Sequence, residues 1–358
     1  MKFSNRWKAY LGVAFLVLTP LAFTCGLYFR TVYFVRPHTD LRSGLAEGEL
    51  GVIRSSFDKE LLLVAYRTLA SVPLTDGEKK ALLQGPLEPP YEFEQGQSSW
   101  LEQRRLAGAP QSGFFVTAEK MTKNYRFFIN CNNDAFDTAS LTLQTLSEKY
   151  GDGSPAVKDW LSAQDIVFAD CSKEAGIPDE LGENASPELR AYRRYQIAAA
   201  NFYLGNYDQA AAQFGSIGRD QASPWREYGL LLEARSYIRK GTLSLWIASG
   251  GEDAGLDLDA LRKAEHTLQA VIADPSLAET RDSAKRLLAF VELRVHAQQR
   301  ATELGELLAK PSDGRDFRQN IVDYFRLNKD YRGPDDEMVD WIEAIKDNDK
   351  ESIARWKS

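Results

Sequence analysis

Tyr192–Pro224 reads YRRYQIAAANFYLGNYDQAAAQFGSIGRDQASP, and this segment decides how the rest of the chain is read. Tyr195, Ala198, Ala199 and Phe202 recur at helical spacing, and Ala210, Phe214 and Ile217 do so again further on. Residues three and four apart share one face of a helix, so each set forms an apolar stripe. The alanines within the stripes let two such helices approach closely. The fold class expected from this pattern is all-α.

The segment resembles a tetratricopeptide (TPR) repeat, a unit of about 34 residues, with the match lying in the second half of the motif. Gly205-Asn206-Tyr207 looks like the inter-helix turn, Ala210 like the small residue where the second helix meets the first, and Phe214 like the aromatic residue one turn later. Ala198 falls at the small close-packing position of the first helix. A degenerate second copy follows. Its first helix holds Trp225, Leu231, Ala234 and Tyr237, and its second holds Leu261, Ala264, Leu268 and Val271. A Gly-containing insertion over Thr242–Leu258, with Trp246 in it, is expected to interrupt the copy at its turn. One helix from Thr280 to Leu308, apolar at Ala284, Leu287, Leu288, Val291 and Val295, is the expected next layer.

The resemblance spans about a third of the chain, residues 190–310. It implies a TPR-like antiparallel helix-pair solenoid, whose concave face commonly binds peptides or partner proteins. By that implication the first-helix aromatics Tyr192, Tyr195, Phe202 and Tyr203 are partner-binding candidates. Core packing is the alternative reading of each, and fold alone does not fix function.

Upstream, Phe57–Leu69 carries Leu61, Leu62, Ala65 and Leu69 on one stripe. Thr75-Asp76-Gly77-Glu78 reads as a capping box opening a short helix that closes around Gly85. Pro86, Pro89, Pro90 and Pro110 punctuate Gly85–Gly113 and predict a long loop holding Trp100 and Arg104-Arg105. Phe114–Thr117 and Tyr125–Ile129 predict a small hairpin. Ala135, Ala139, Leu143 and Leu146 predict a helix from Asp134 to Tyr150, and a partner helix starts after Pro155 and runs to Cys171. Cys131 and Cys171 flank these two helices, so their ends meet if the helices form an antiparallel hairpin. A disulfide is expected there in an oxidising compartment, with two buried free thiols as the alternative. The tail, with Tyr324, Phe325, Trp341, Ile342 and Ile345, predicts one or two terminal helices. Trp341 and Trp356 are expected to pack against the last repeat.

Ala9–Phe29 contains 21 consecutive uncharged residues, long enough as a helix to cross a hydrocarbon layer of roughly 30 Å. Trp7, Tyr10, Tyr28, Phe29, Tyr33 and Phe34 lie where interfacial aromatic belts are expected. Lys2, Arg6 and Lys8 outweigh Arg30 and Arg36, so the positive-inside rule keeps the N-terminus in the cytoplasm and the body outside. A cleaved signal peptide is the rival, and Ala22-Phe23-Thr24 before Cys25 makes a poor lipobox. The chain carries −7, and without the five cations of residues 1–36 the body carries −12, which argues against nucleic-acid partners. The resulting division is an anchor over 1–36, a helical segment with a long loop over 37–130, a helical hairpin over 131–189, TPR-like repeats over 190–310 and capping helices over 311–358.

His38, His266 and His296 are scattered without metal-binding spacing, and no nucleophile elbow, phosphate loop or CxxC pair occurs. No metal or cofactor is therefore expected. Glu351-Ser352 resembles the Glu-Ser pair of periplasmic lytic transglycosylases, but no lysozyme-like domain follows it to raise the carboxyl pKa. The expectation is a non-enzymatic, single-pass inner-membrane protein with a periplasmic body that docks an envelope protein or peptide. The alternative is an envelope enzyme or enzyme accessory, with its site near Trp100–Arg105 or Trp246. A purely structural spacer is a third reading.

Overall fold

The computed structural model describes residues 41–84, 93–109, 117–251, 254–328, 337–347 and 353–354. The apolar run 9–29, Cys25, His38, Glu351-Ser352 and Trp356 lie outside them. Among the described residues no helix is long and apolar enough to cross a membrane.

Helix boundaries follow local capping chemistry. The first three helices are α1 (Leu41–Ala46), α2 (Lys59–Leu69) and α3 (Asp76–Leu83). Helix α3 opens with the expected capping box, in which Thr75 Oγ1 accepts from Glu78 N and Thr75 N donates to Glu78 Oε2. Next come α4 (Phe93–Leu106) and a two-stranded antiparallel sheet of β1 (Glu119–Met121) and β2 (Phe127–Ile129). Helix α5 is Asn133–Tyr150, and α6 is Pro155–Ala169, capped by Ser154 with Pro155 in its first turn. Helix α7 (Pro187–Leu204) ends on left-handed Gly205, and α8 (Tyr207–Arg219) begins two residues later. Helices α9 (Arg226–Ala248), α10 (Leu258–Ala273), α11 (Arg281–Val295), α12 (Ala297–Leu308), α13 (Phe317–Leu327) and α14 (Glu337–Asp347) complete the described chain. The fold is thus mainly helical.

From α4 to α13 each helix packs on the next in sequence. Ala198, Ala210 and Phe214 are buried between α7 and α8. Helices α8 and α9 cross where Gly218 meets Gly229. A Cβ on Gly229 would collide with the Gly218 backbone, so glycine is what permits this approach.

Several expectations are corrected. The proline-punctuated loop is in part helix α4, packed on α5, and Gly96 within it lies tightly against Asn133, where a Cβ would come within 3.0–3.1 Å. There the glycine marks close packing and not a turn. The Thr242–Leu258 insertion is in part helix, because α9 continues through Trp246 to Ala248 before the connection to α10 at Leu258. The helix expected over Thr280–Leu308 is two, broken at His296, whose backbone (φ −125°, ψ 40°) leaves the helical region. The first hairpin strand lies at Glu119–Met121, beyond the segment expected to form it.

The two ends of the described chain share one core. Leu61, Leu62 and Leu82 join Leu304, Ile321, Tyr324 and Ile342 in a single cluster, and Trp341 meets Tyr66 at 5.7 Å instead of packing on a repeat. At its edge Glu78 is fully buried and binds buried Arg67 through both oxygens, at 2.9 and 3.1 Å. Glu78 also accepts from Ser312 N and Oγ, and Thr75 Oγ1 donates to Ser312 O. Burial pushes the Glu78 carboxyl up, but hydrogen bonds from Arg67, Thr75 and Ser312 outweigh it and hold the group below its ordinary 4.5. The pair therefore contributes fully above about pH 4.5 and is lost as pH falls through the lower folded value. Glu78→Ala strands a buried guanidinium and is expected to cost about 3–5 kcal/mol by denaturant titration. The acid-side loss of stability expected of the parent should shrink in this variant.

Candidate docking groove

Helices α5, α7, α9 and α11 enclose a groove of about 660 Å³. Tyr192, Tyr195, Phe202 and Tyr203 all line it from α7. Tyr192 and Phe202 are buried, while Tyr195 and Tyr203 are half-buried. Trp225, just ahead of α9, is the hub. It stacks on Tyr195 at 4.2 Å with the planes 25° apart, and meets Tyr192 edge-on at 5.8 Å and Tyr228 at 6.5 Å. Tyr195 in turn meets Phe214 edge-on at 5.7 Å. Such edge-to-face and offset contacts fix rings beyond what area burial does, so the aromatic wall is preorganised.

The opposite wall is α5, which contributes Thr138, Thr142 and Thr145 and the exposed Leu141. Arg235 Nη1 donates to Asp134 Oδ2 at 2.6 Å, joining α9 to α5 at the groove. Arg286 lies exposed at the rim and donates to Ser283 Oγ at 3.1 Å. Burial, reinforced by the Asp134 carboxylate, pushes the Tyr203 hydroxyl up to about 12, and burial pushes that of Tyr195 higher still. Both hydroxyls therefore stay protonated at any physiological pH.

The groove is held from behind by a knot around Asn130. Its Nδ2 lies 2.9 to 3.2 Å from the carbonyl oxygens of Asp170, Cys171 and Tyr203. Arg239 donates to Asn130 Oδ1 and O, and its guanidinium lies over the Phe202 ring, 4.2 Å from the centroid. Beside it Cys131 and Cys171 form a disulfide with Cα atoms 5.5 Å apart and both residues fully buried. The strand end, the α6 end, the α7 end and α9 are thus tied at one point.

The other candidate places look different. Trp100 is fully buried against Trp160 and Phe168, and Arg104 is paired with Asp165. Burial raises the Asp165 carboxyl against the pull of Arg104. Trp246 packs edge-on against Phe128 at 5.9 Å. His296 pairs with Glu265 at 2.8 Å, and among the described residues no cluster of His, Cys, Asp and Glu could hold a metal ion. The α5 threonines, Trp225, Tyr228 and Arg235 are among the groove residues that sequence reasoning did not nominate. The spacing of Thr138, Thr142 and Thr145 on one helical face was the available signal for the first group.

No protein-family model, curated protein or solved structure matches the chain. The disulfide closes a loop of sequence separation 40, for which chain-entropy reasoning gives about 4 kcal/mol. The double variant Cys131→Ala, Cys171→Ala is expected to lose about that much. Non-reducing peptide mapping of the parent should recover the linked pair, and reductant should reach it only after denaturation.

Proposed function

We propose that the chain is a membrane-anchored, non-enzymatic docking protein of a bacterial cell envelope, whose groove takes a partner protein or peptide. In this reading residues 9–29 cross the inner membrane once, the body lies in the periplasm, and the TPR-like helix pairs form a solenoid. The observation that carries it is the aromatic groove, where Trp225, Tyr195, Tyr192 and Tyr228 form one interlocked wall. Its volume of about 660 Å³ falls within the usual range for ligand sites. A wide apolar surface with a few fixed polar groups is what such sites use to bind and orient a ligand, and Trp, Tyr and Arg dominate binding energy at protein interfaces. The sequence resemblance supports the same reading, since TPR-like arrays present their first-helix residues to partners. The enzyme alternative has no comparable observation behind it, because Trp100 is enclosed and Trp246 is packed on the hairpin.

A photo-crosslinking amino acid placed at Leu141 or Tyr228, both exposed at the groove, tests the reading in intact envelopes. Both positions should capture the same single protein, while Leu256, exposed but outside the groove lining, should not. Leu141→Arg should weaken capture from Tyr228 by about tenfold, equivalent to about 1.4 kcal/mol. Equal labelling from all three positions, or none from the groove, would refute it.

A further inference from the structure

The β1–β2 hairpin has one face fixed to the body and one face uncovered. On the inner face Phe128 packs against Trp246, Thr122 Oγ1 donates to Gly250 O at 3.0 Å, and Lys120 Nζ reaches Tyr203 O at 3.4 Å. Asn124 and Arg126 press on Gly250 and Gly251, where no Cβ would fit. The disulfide and the Asn130 knot follow directly after β2. The hairpin is therefore held firmly at its root.

On the outer face Met121 and Phe127 are cross-strand partners and are 49% and 63% exposed. Tyr125 at the tip is 78% exposed, more than any other large hydrophobic residue among those described. Its φ of 57° puts a bulky side chain in the left-handed region, at a loop position that glycine fills without strain. A tyrosine there works against hairpin stability while offering its ring to the surroundings. Lys123 and Arg126 flank it, both exposed. With Lys120 against Glu119, Glu119–Phe127 carries net +2 on a body of net −12.

We propose that this hairpin tip is a membrane-contacting element that dips into an anionic lipid surface. Met121, Tyr125 and Phe127 enter the interfacial layer, and Lys123 and Arg126 meet the phosphate headgroups. Aromatic and apolar side chains ringed by Lys and Arg are the composition of interfacial segments, and anionic lipid adds attraction for each basic residue. A stable protein interface needs several hundred Å² on each side, more than three side chains on a short hairpin supply, whereas a bilayer needs only a tip that can enter it. This surface is separate from the groove and does not depend on the docking reading. If residues 9–29 are an anchor, the tether raises the local lipid concentration so that a weak contact suffices.

The test places the full chain in nanodiscs of phosphatidylcholine alone or mixed with phosphatidylglycerol, and reads hydroxyl-radical oxidation of Met121, Tyr125 and Phe127 by mass spectrometry. Leu141 and Tyr228 serve as internal references. Two basic residues shift the contact equilibrium about thirtyfold toward anionic lipid, so oxidation at the tip should fall roughly threefold or more in the anionic discs only. Lys123→Glu with Arg126→Glu should abolish that protection. Tyr125→Gly should lose most of it while keeping or raising the thermal midpoint, which separates lipid contact from a structural role. Equal oxidation under all conditions would overturn the proposal. Protection in detergent that grows with protein concentration would also overturn it, by assigning the face to a second copy of the chain.

Discussion

One asparagine side chain sets the geometry on which the groove depends. Asn130 sits where the hairpin, the end of α6, the end of α7 and α9 come together, and it uses both its donors and its acceptors there. Buried polar groups left unmatched are costly, so a fully engaged amide at a four-way junction allows little variation in how the elements meet. The neighbouring disulfide adds a covalent limit on the same junction. Arg239 connects the knot to the aromatic wall by lying over Phe202, the residue that carries the floor of the groove toward Tyr203. The positions of Tyr195 and Trp225 follow from that frame.

A second constraint closes the molecule on itself. The Glu78 carboxylate binds Arg67 eleven residues earlier and Ser312 far along the chain, so the described N-terminal and C-terminal helices form a joint core. Lys346 strengthens the join by donating to the carbonyl oxygens of Ser55 and Phe57. In the anchored reading, the part of the body that follows residues 9–29 is buttressed by α13 and α14, the last of the described helices. The groove and the hairpin belong to the intervening helices, which pack in sequence order.

Much of this was legible where local rules and tertiary packing agree. The stripes of α7 and α8, the Gly205 turn, the Thr75 capping box and the proline-started α6 all follow from periodicity and capping chemistry. The four α7 aromatics were nominated through a resemblance, and they line one groove. Gly96 falls in the stretch expected to be loop, yet it sits inside a helix with Asn133 pressed against it. Long-range partners were invisible for a different reason. Nothing in the spacing around Trp341 or Ser312 says that their neighbours are Tyr66 and Glu78, because sequence periodicity reports which face is apolar and not what covers it. The same limit hid Trp225, whose role as hub arises only when α7 and α9 are brought side by side.

In the docking reading the partner sits on the aromatic wall around Trp225. The most direct measurement is the fluorine NMR spectrum of the full chain labelled with 5-fluorotryptophan, recorded with and without the peptide recovered from groove crosslinks. The Trp225 resonance should shift or broaden on addition while those of the enclosed Trp100 and of Trp341 stay in place. A response confined to Trp246 or Trp341, with Trp225 unchanged at saturating peptide, would contradict it.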